Sequence, residues 1–333
     1  MTTVGSLTDR APAVGGRELA AQLVPPRQFA DASFSSYRPD ADYPSQAEAL
    51  AAVQRFAEGP KPTGGLFRRK APASRPGVYL DGGFGVGKTH LLAALWHAAN
   101  GRKYFGTFIE YTALVGALGF AEAVALLRGA SLVAIDEFEL DDPGDTMVMS
   151  RLLGELVASG TRIAATSNTP PNALGEGRFA AADFLREIHA LAERFDTIRI
   201  DGLDYRRRDI EGHARTVDDS EVERLVQEGP AEHTSDRFDD VIAHLATVHP
   251  SRYVALVDGL GSVGLRGVRV LADQTEALRF VAFVDRLYDA QVRLVASGEP
   301  LDSVFAADML AGGYRKKYLR AISRLIALTT GSD

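Results

Sequence analysis

A parallel β-sheet flanked by helices, followed by a C-terminal α/β extension, is the fold class this sequence predicts, and three observations predict it. Short apolar runs alternate with helix-length segments between Gly77 and Asp201, the pattern of strands buried on both faces by crossover helices. A glycine-rich turn, Gly82-Gly83-Phe84-Gly85-Val86-Gly87-Lys88-Thr89, stands between the first such strand and the first such helix. With 333 residues, 46% hydrophobic and 24% charged, the chain has enough apolar material for a sizeable core and length for about two domains.

The elements follow in order. Residues 1–33 carry Pro12, Gly15, Gly16, Pro25 and Pro26 without clear periodicity and read largely as loop. Gln46 to Phe56 has helix formers with apolar residues at helical spacing. Gly59 to Pro76, with four prolines and the basic triplet Arg68-Arg69-Lys70, reads as an exposed loop. Then come a strand at Gly77–Asp81, a helix at Thr89–Ala99, a strand at Thr107–Tyr111 and a helix at Leu114–Leu127. Ser131–Asp136 is a continuous apolar strand, Met147–Ala158 a helix, Thr161–Ser167 a strand, Ala180–Arg194 a helix and Thr197–Asp201 a last strand. Gly202 to Thr234 is polar and acidic. Beyond it the pattern predicts a helix at Phe238–Val248, strands at Tyr253–Val257 and Val268–Leu271, a helix at Thr275–Ala290, a strand at Val292–Ala296 and a helix near Tyr318–Leu328. The expected organisation is an N-terminal segment over 1–75 that contributes to a nucleotide pocket, a core over 76–203 and an extension over 204–333.

The glycine-rich turn matches G-x-x-x-x-G-K-[ST], the phosphate-cradling P-loop, in the strand–turn–helix context the mechanism requires. Its backbone N–H groups, from Gly82 through Gly87, are expected to face phosphate oxygens, aided by the dipole of the following helix. Lys88 is expected to reach the β- and γ-phosphates and Thr89 to hold Mg²⁺. Leu132–Asp142 (LVAIDEFELDD) places Asp136 and Glu137 at a strand end. Asp136 suits the role of holding Mg²⁺, and Glu137 that of a general base that polarises an attacking water. Asn168, at the end of the next strand (IAATSN), is expected to converge on the same crevice and sense the γ-phosphate. Nucleoside kinases have no need of Glu137, and the guanine-reading N-K-x-D pattern is absent, so ATP hydrolysis is the reaction these residues indicate.

Charge and composition narrow the rest. The net charge is −7, and thirteen acids stand against six bases between Asp201 and Pro250, so a broad nucleic-acid-binding surface loses weight. The absence of cysteine excludes disulfides, zinc–thiolate sites and thiol catalysis. No apolar run approaches a membrane span and no secretory signal opens the chain, so a cytoplasmic protein is expected.

At this point the chain resembles the AAA+ ATPases, and within them the ZapE cell-division ATPases and their mitochondrial AFG-like relatives. The resemblance is carried by YLDGGFGVGKTHLL, AIDEFELDDPGDTMVMSRLL, ATSNTPPNAL, DGLDYRRR, RFVAFVDRLYDAQVRLVASGEP and RAISRL, and covers roughly Phe34 to Leu328. It departs at Gly175-Glu176-Gly177, where an aromatic is expected. The resemblance implies ATP hydrolysis in a homo-oligomeric ring or partial ring, with an arginine offered to the neighbour's γ-phosphate. Arg178 is the first candidate for that finger and Arg194 the second; Arg279 and Arg324 are candidates for a second arginine sensor. Tyr37, in the Phe34–Tyr37 run before the Pro44–Gln46 box, is expected beside the nucleotide. The resemblance further implies remodelling of a protein partner, either FtsZ at the division site or membrane-complex subunits, with any membrane association made through partners. Two other readings stand beside it: a helicase-loader type of ATPase, which GVGKTHLLAAL with TSN also resembles, and an ATP-gated scaffold with little turnover.

Overall fold

The computed structural model describes residues 4–12, 16–59, 75–138, 143–170, 193–203, 213–227 and 232–330. These fall into two compact units, one within Gly15–Pro25 and Phe29–Tyr205, the other within Met1–Val14, Pro26–Gln28 and Arg206–Asp333.

The first unit holds a five-stranded, all-parallel sheet built from β2 (Gly77–Gly82), β3 (Lys103–Thr107), β4 (Leu132–Asp136), β5 (Arg162–Ser167) and β6 (Phe195–Ile200), in the order β3-β4-β5-β2-β6. All five residues of β4 are buried, as are Val78, Tyr79 and Leu80 of β2, which is why these strands read as continuous apolar runs. One face packs on α2 (Pro44–Glu58) and α3 (Lys88–Ala98) through Val78, Leu80, Leu132, Ala134, Ala49, Val53, Leu91 and Leu95. On the other, Tyr79, Phe138 and Phe195 meet edge to face, and α4 (Phe108–Leu118), α5 (Phe120–Leu127) and α6 (Pro143–Ala158) pack with one another. Lys103–Thr107 is the strand expected a few residues later: Thr107 ends it and caps α4 with a reciprocal Glu110 capping box. α1 (Gly16–Ala21) forms where a loop is expected, its Gly16 pressed against Leu118. The expected Ala180–Arg194 helix lies largely outside the described residues.

The second unit has its own four-stranded parallel sheet, ordered β1-β7-β8-β9: β1 (Val4–Gly5), β7 (Glu232–Arg237), β8 (Leu260–Val268) and β9 (Arg293–Gly298). α8 (Phe238–Thr247), α9 (Tyr253–Val257), α10 (Gln274–Asp289) and α11 (Arg315–Thr330) share a core around Phe238, Tyr253, Phe280, Phe283 and Tyr318. α7 (Asp219–Val226) packs Val222 and Val226 against Val295 in a smaller cluster. Three expectations change here. Tyr253–Val257 is helical, because its three buried residues, Tyr253, Leu256 and Val257, follow helical spacing. Leu260–Val268 is the strand, read too late from the sequence because glycines and serine dilute its apolar pattern. β7, EHTSDR, contains no apolar residue and gave no periodic signal, yet His233, Thr234 and Asp236 are buried.

The N-terminal residues join this second unit. Val4 and Gly5 pair with His233 and Thr234, and Leu7 is fully buried in the core. Asp236 accepts hydrogen bonds from Ser6 Oγ and, at 2.8 Å, from Leu7 N–H. Arg10 donates to the Asp258 carbonyl at 3.0 Å and pairs with Glu232. A segment read as loop therefore completes a sheet, because its partner strand lies too far along the chain for local patterning to reveal.

Asp285 of α10 sits between Arg320 and Arg324 of α11, at 2.6 Å from Arg320, with all three buried. Arg324, a candidate nucleotide sensor, is thus committed inside this unit. Removing one partner of a buried ion pair strands its charge in a low dielectric, so Asp285→Ala is expected to cost about 3–5 kcal/mol. Urea unfolding followed by far-UV circular dichroism measures that loss. Among the described residues no single helix is long and apolar enough to cross a membrane.

Candidate nucleotide site

β2 lies between β5 and β6, and the chain leaves its end for α3, so the C-terminal ends of β2, β4 and β5 open on one crevice. Gly85 and Gly87 both adopt left-handed backbone, at φ 72° and 84°. Gly87 is doubly required, since a Cβ there would lie 2.5 Å from the Tyr37 ring. Gly82 is required for another reason: its Cβ would lie 2.3 Å from the Ile200 carbonyl oxygen. Gly83 faces open space, Phe84 is half-buried, and Val86 is buried against the base of the loop.

Lys88, 9% exposed, donates to the carbonyls of Gly82 (2.9 Å) and Gly83 and to Asn168 Oδ1 (2.9 Å). Thr89 Oγ1 donates to the Asp136 carboxylate at 3.1–3.2 Å. The structure thus joins Lys88 to Asn168 and Thr89 to Asp136, residues that the sequence separates by 80 and 47 positions. Burial, and next the neighbouring Glu137 charge, push the Asp136 carboxyl above its ordinary range, while hydrogen bonds from Thr166 and Thr89 and the Lys88 charge pull it back.

Glu137 has φ 52°, a left-handed conformation that costs a non-glycine residue of order 1–3 kcal/mol. The hydroxyl and carbonyl of Thr166 hold the turn in place. Thr166 Oγ1 accepts the Glu137 N–H at 3.1 Å and donates to Asp136, and the Thr166 carbonyl accepts the Phe138 N–H at 2.7 Å. Phe138, 1% exposed, is seated edge-on against Tyr79, Phe108 and Phe195. The available signal is a hydroxyl directly after the apolar Ile163–Ala165 run of β5.

Tyr37 is buried, its ring against Gly87 and tilted over His90 with centroids 5.7 Å apart. Its hydroxyl donates to the Val86 carbonyl at 3.0 Å, and burial raises its pKa to about 12, so it remains a donor at neutral pH. Its contacts are with the loop, which it braces, and with His90 of α3. Gln46, of the Pro44–Gln46 box, is buried and links two backbone segments: it accepts from Asp40 N–H and donates to the Asp201 carbonyl. Arg194 stands at the other end of the sheet, its carbonyl accepting the Gly77 N–H at 3.1 Å. With β2 rising about 3.3 Å per residue, it lies roughly 16 Å from the loop, beyond the reach of its own side chain. Arg178 lies outside the described residues.

The donor set suits a magnesium–nucleotide complex. A hydroxyl and a carboxylate offer hard oxygens, and Mg²⁺ at nucleotide sites is held by one or two such groups together with substrate phosphates. The glycine loop leaves room above Gly83 for a backbone-bound phosphate, and Lys88 can exchange carbonyl acceptors for phosphate oxygens.

The chain is 29% identical over 291 residues to the cell division protein ZapE of Escherichia coli K12, covering 75% of this chain and 76% of that one. It is 22% identical over 298 residues to lactation elevated protein 1 homolog B of Danio rerio, covering 72% and 59%. Among solved structures, that of DnaI is 21% identical and covers 53% of this chain and 94% of its own, with a TM-score of 0.41. The family model for AFG1-like ATPases matches residues 14–220 and 210–332, nearly the whole sequence, and the chain belongs to the AFG1-like ATPase family.

Proposed function

We propose that this protein is a Mg²⁺-dependent ATPase that hydrolyses ATP to ADP and phosphate and uses the cycle to remodel a protein partner. The observation that carries the reading is the convergence of Lys88, Thr89, Asp136, Glu137 and Asn168 from three strand ends on one crevice. In this reading the loop from Gly82 to Gly87 cradles phosphates and Lys88 neutralises their charge. Thr89 and Asp136 hold Mg²⁺, which when bound neutralises charge developing on the phosphate oxygens. Glu137 takes a proton from the attacking water, and Asn168 orients the γ-phosphate from its contact with Lys88.

Arg194 is too far from its own loop to serve it; in the proposed homo-oligomer, catalysis is shared between copies and Arg194 or Arg178 is the arginine given to the neighbour. Similarity to the cell division protein ZapE supports a role in cell division; a cytoplasmic protein acting at the division site on FtsZ, and reaching membranes only through partners, is the finer form of this proposal.

Steady-state ATPase activity against protein concentration, with Lys88→Ala as the blank, tests this. Specific activity is expected to rise with concentration as subunits assemble. Constant activity from a protein that sizes as a monomer would remove shared catalysis from the reading. Absence of Lys88-dependent turnover, alone or with FtsZ added, would remove the ATPase itself.

A further inference from the structure

Both acidic groups of the site depend on one residue that contacts neither water nor phosphate in the mechanism above. Thr166 is 1% exposed, one step along β5 from the Ala165 that pairs with Ile135 of β4. A hydroxyl carries one donor and can accept at the same time. Here the donor goes to Asp136 Oδ1, and the lone pairs receive the Glu137 N–H at 3.1 Å. The same residue's carbonyl takes the Phe138 N–H at 2.7 Å, and Phe138 is locked among three aromatic rings.

We infer that Thr166 is a positioning residue for this reaction, setting through its single hydroxyl both the metal-holding carboxylate of Asp136 and the left-handed turn that aims Glu137. The inference rests on the ATPase reading and deepens it. The geometry distinguishes the hydroxyl from the rest of the side chain. Asp136 has two hydroxyl donors, Thr89 and Thr166, and Thr89 is the one expected to turn to the metal when nucleotide binds. Thr166 then remains as the fixed donor that keeps the carboxylate plane in place. Groups of this kind, one shell out from a metal, are worth about 10–100-fold in metal affinity or activity.

The test compares Thr166→Val, which keeps the shape and removes the hydroxyl, with Thr166→Ser, which keeps the hydroxyl. A fluorescent ATP analogue is titrated into each variant in EDTA and again at increasing Mg²⁺, and turnover is measured alongside. For the valine variant, the Mg²⁺ giving half-maximal binding is expected to rise about 10-fold and kcat to fall 10–100-fold, with nucleotide affinity in EDTA unchanged. The serine variant is expected within about threefold of wild type in all three. A merely structural role would move the melting temperature and leave the Mg²⁺ requirement alone. Valine at wild-type Mg²⁺ requirement and turnover overturns the inference, as does serine impaired to the same degree as valine. If the valine variant melts below the assay temperature, Thr166→Ala carries the same comparison against serine. Wild type that binds no nucleotide with Mg²⁺ overturns the ATPase reading, whereas wild type that binds while valine matches it overturns only the role of Thr166.

Discussion

Glu137→Gln is expected to bind ATP as tightly as the wild type and to turn it over about 10²–10⁴-fold more slowly, the usual contribution of a positioned general base. Glutamine keeps the volume and the left-handed backbone, whose N–H is held by Thr166, so the loop, Lys88 and Asp136 keep their places. It loses only the capacity to accept a proton from water. Removing a negative charge beside Asp136 also relieves the repulsion that raises that carboxyl, so Mg²⁺ binding is expected to be unharmed. Rapid-quench measurement of a single turnover, with nucleotide binding measured separately, separates chemistry from affinity. A glutamine variant with more than a tenth of wild-type turnover would show that another group activates the water. If ATP completes a shared site, this variant is also expected to accumulate the assembled form when ATP is present.

Lys88→Ala is expected to fail one step earlier, at binding. Hydrogen bonds to charged groups are worth about 1.5–3 kcal/mol each, so loss of two phosphate contacts predicts roughly 10²–10⁴-fold weaker nucleotide affinity. In this protein Lys88 also holds the carbonyls of Gly82 and Gly83 and the Asn168 amide. Its loss leaves three acceptors without that donor and lets Asn168 drift from the crevice. Equilibrium binding of a fluorescent nucleotide measures the effect, with circular dichroism to confirm that the fold is retained. Affinity within threefold of wild type would show that the phosphates lie elsewhere.

The core sheet was legible in the sequence because its strands are buried on both faces and therefore apolar, and because the P-loop marks its first crossover. Lys88, Thr89, Asp136, Glu137 and Asn168 were found for the same reason: each stands at a strand end or helix start where the pattern changes. Thr166 was not found, since it acts through hydrogen bonds to a backbone N–H and to another site residue, and no spacing rule marks such contacts. β7 escaped because burial there rests on paired polar groups, His233 on Ser262 and Asp236 on Ser6 and Leu7, instead of apolar side chains. The N-terminal strand escaped with it, since neither half of a parallel pair more than two hundred residues apart is readable without the other.

That pairing has a consequence for how the protein is made. During synthesis the chain emerges from the ribosome N-terminus first, and domains generally fold as they appear. The nucleotide-site strands, β2 to β6, are all in hand once residue 200 has emerged. Val4 to Arg10, which precedes every strand of the nucleotide-site sheet, then waits for Asp236 and its strand, 229 residues downstream of Leu7. Closing so long a loop is entropically costly and slow, so the second sheet is expected to be sealed last, by a segment translated well before the strand it joins.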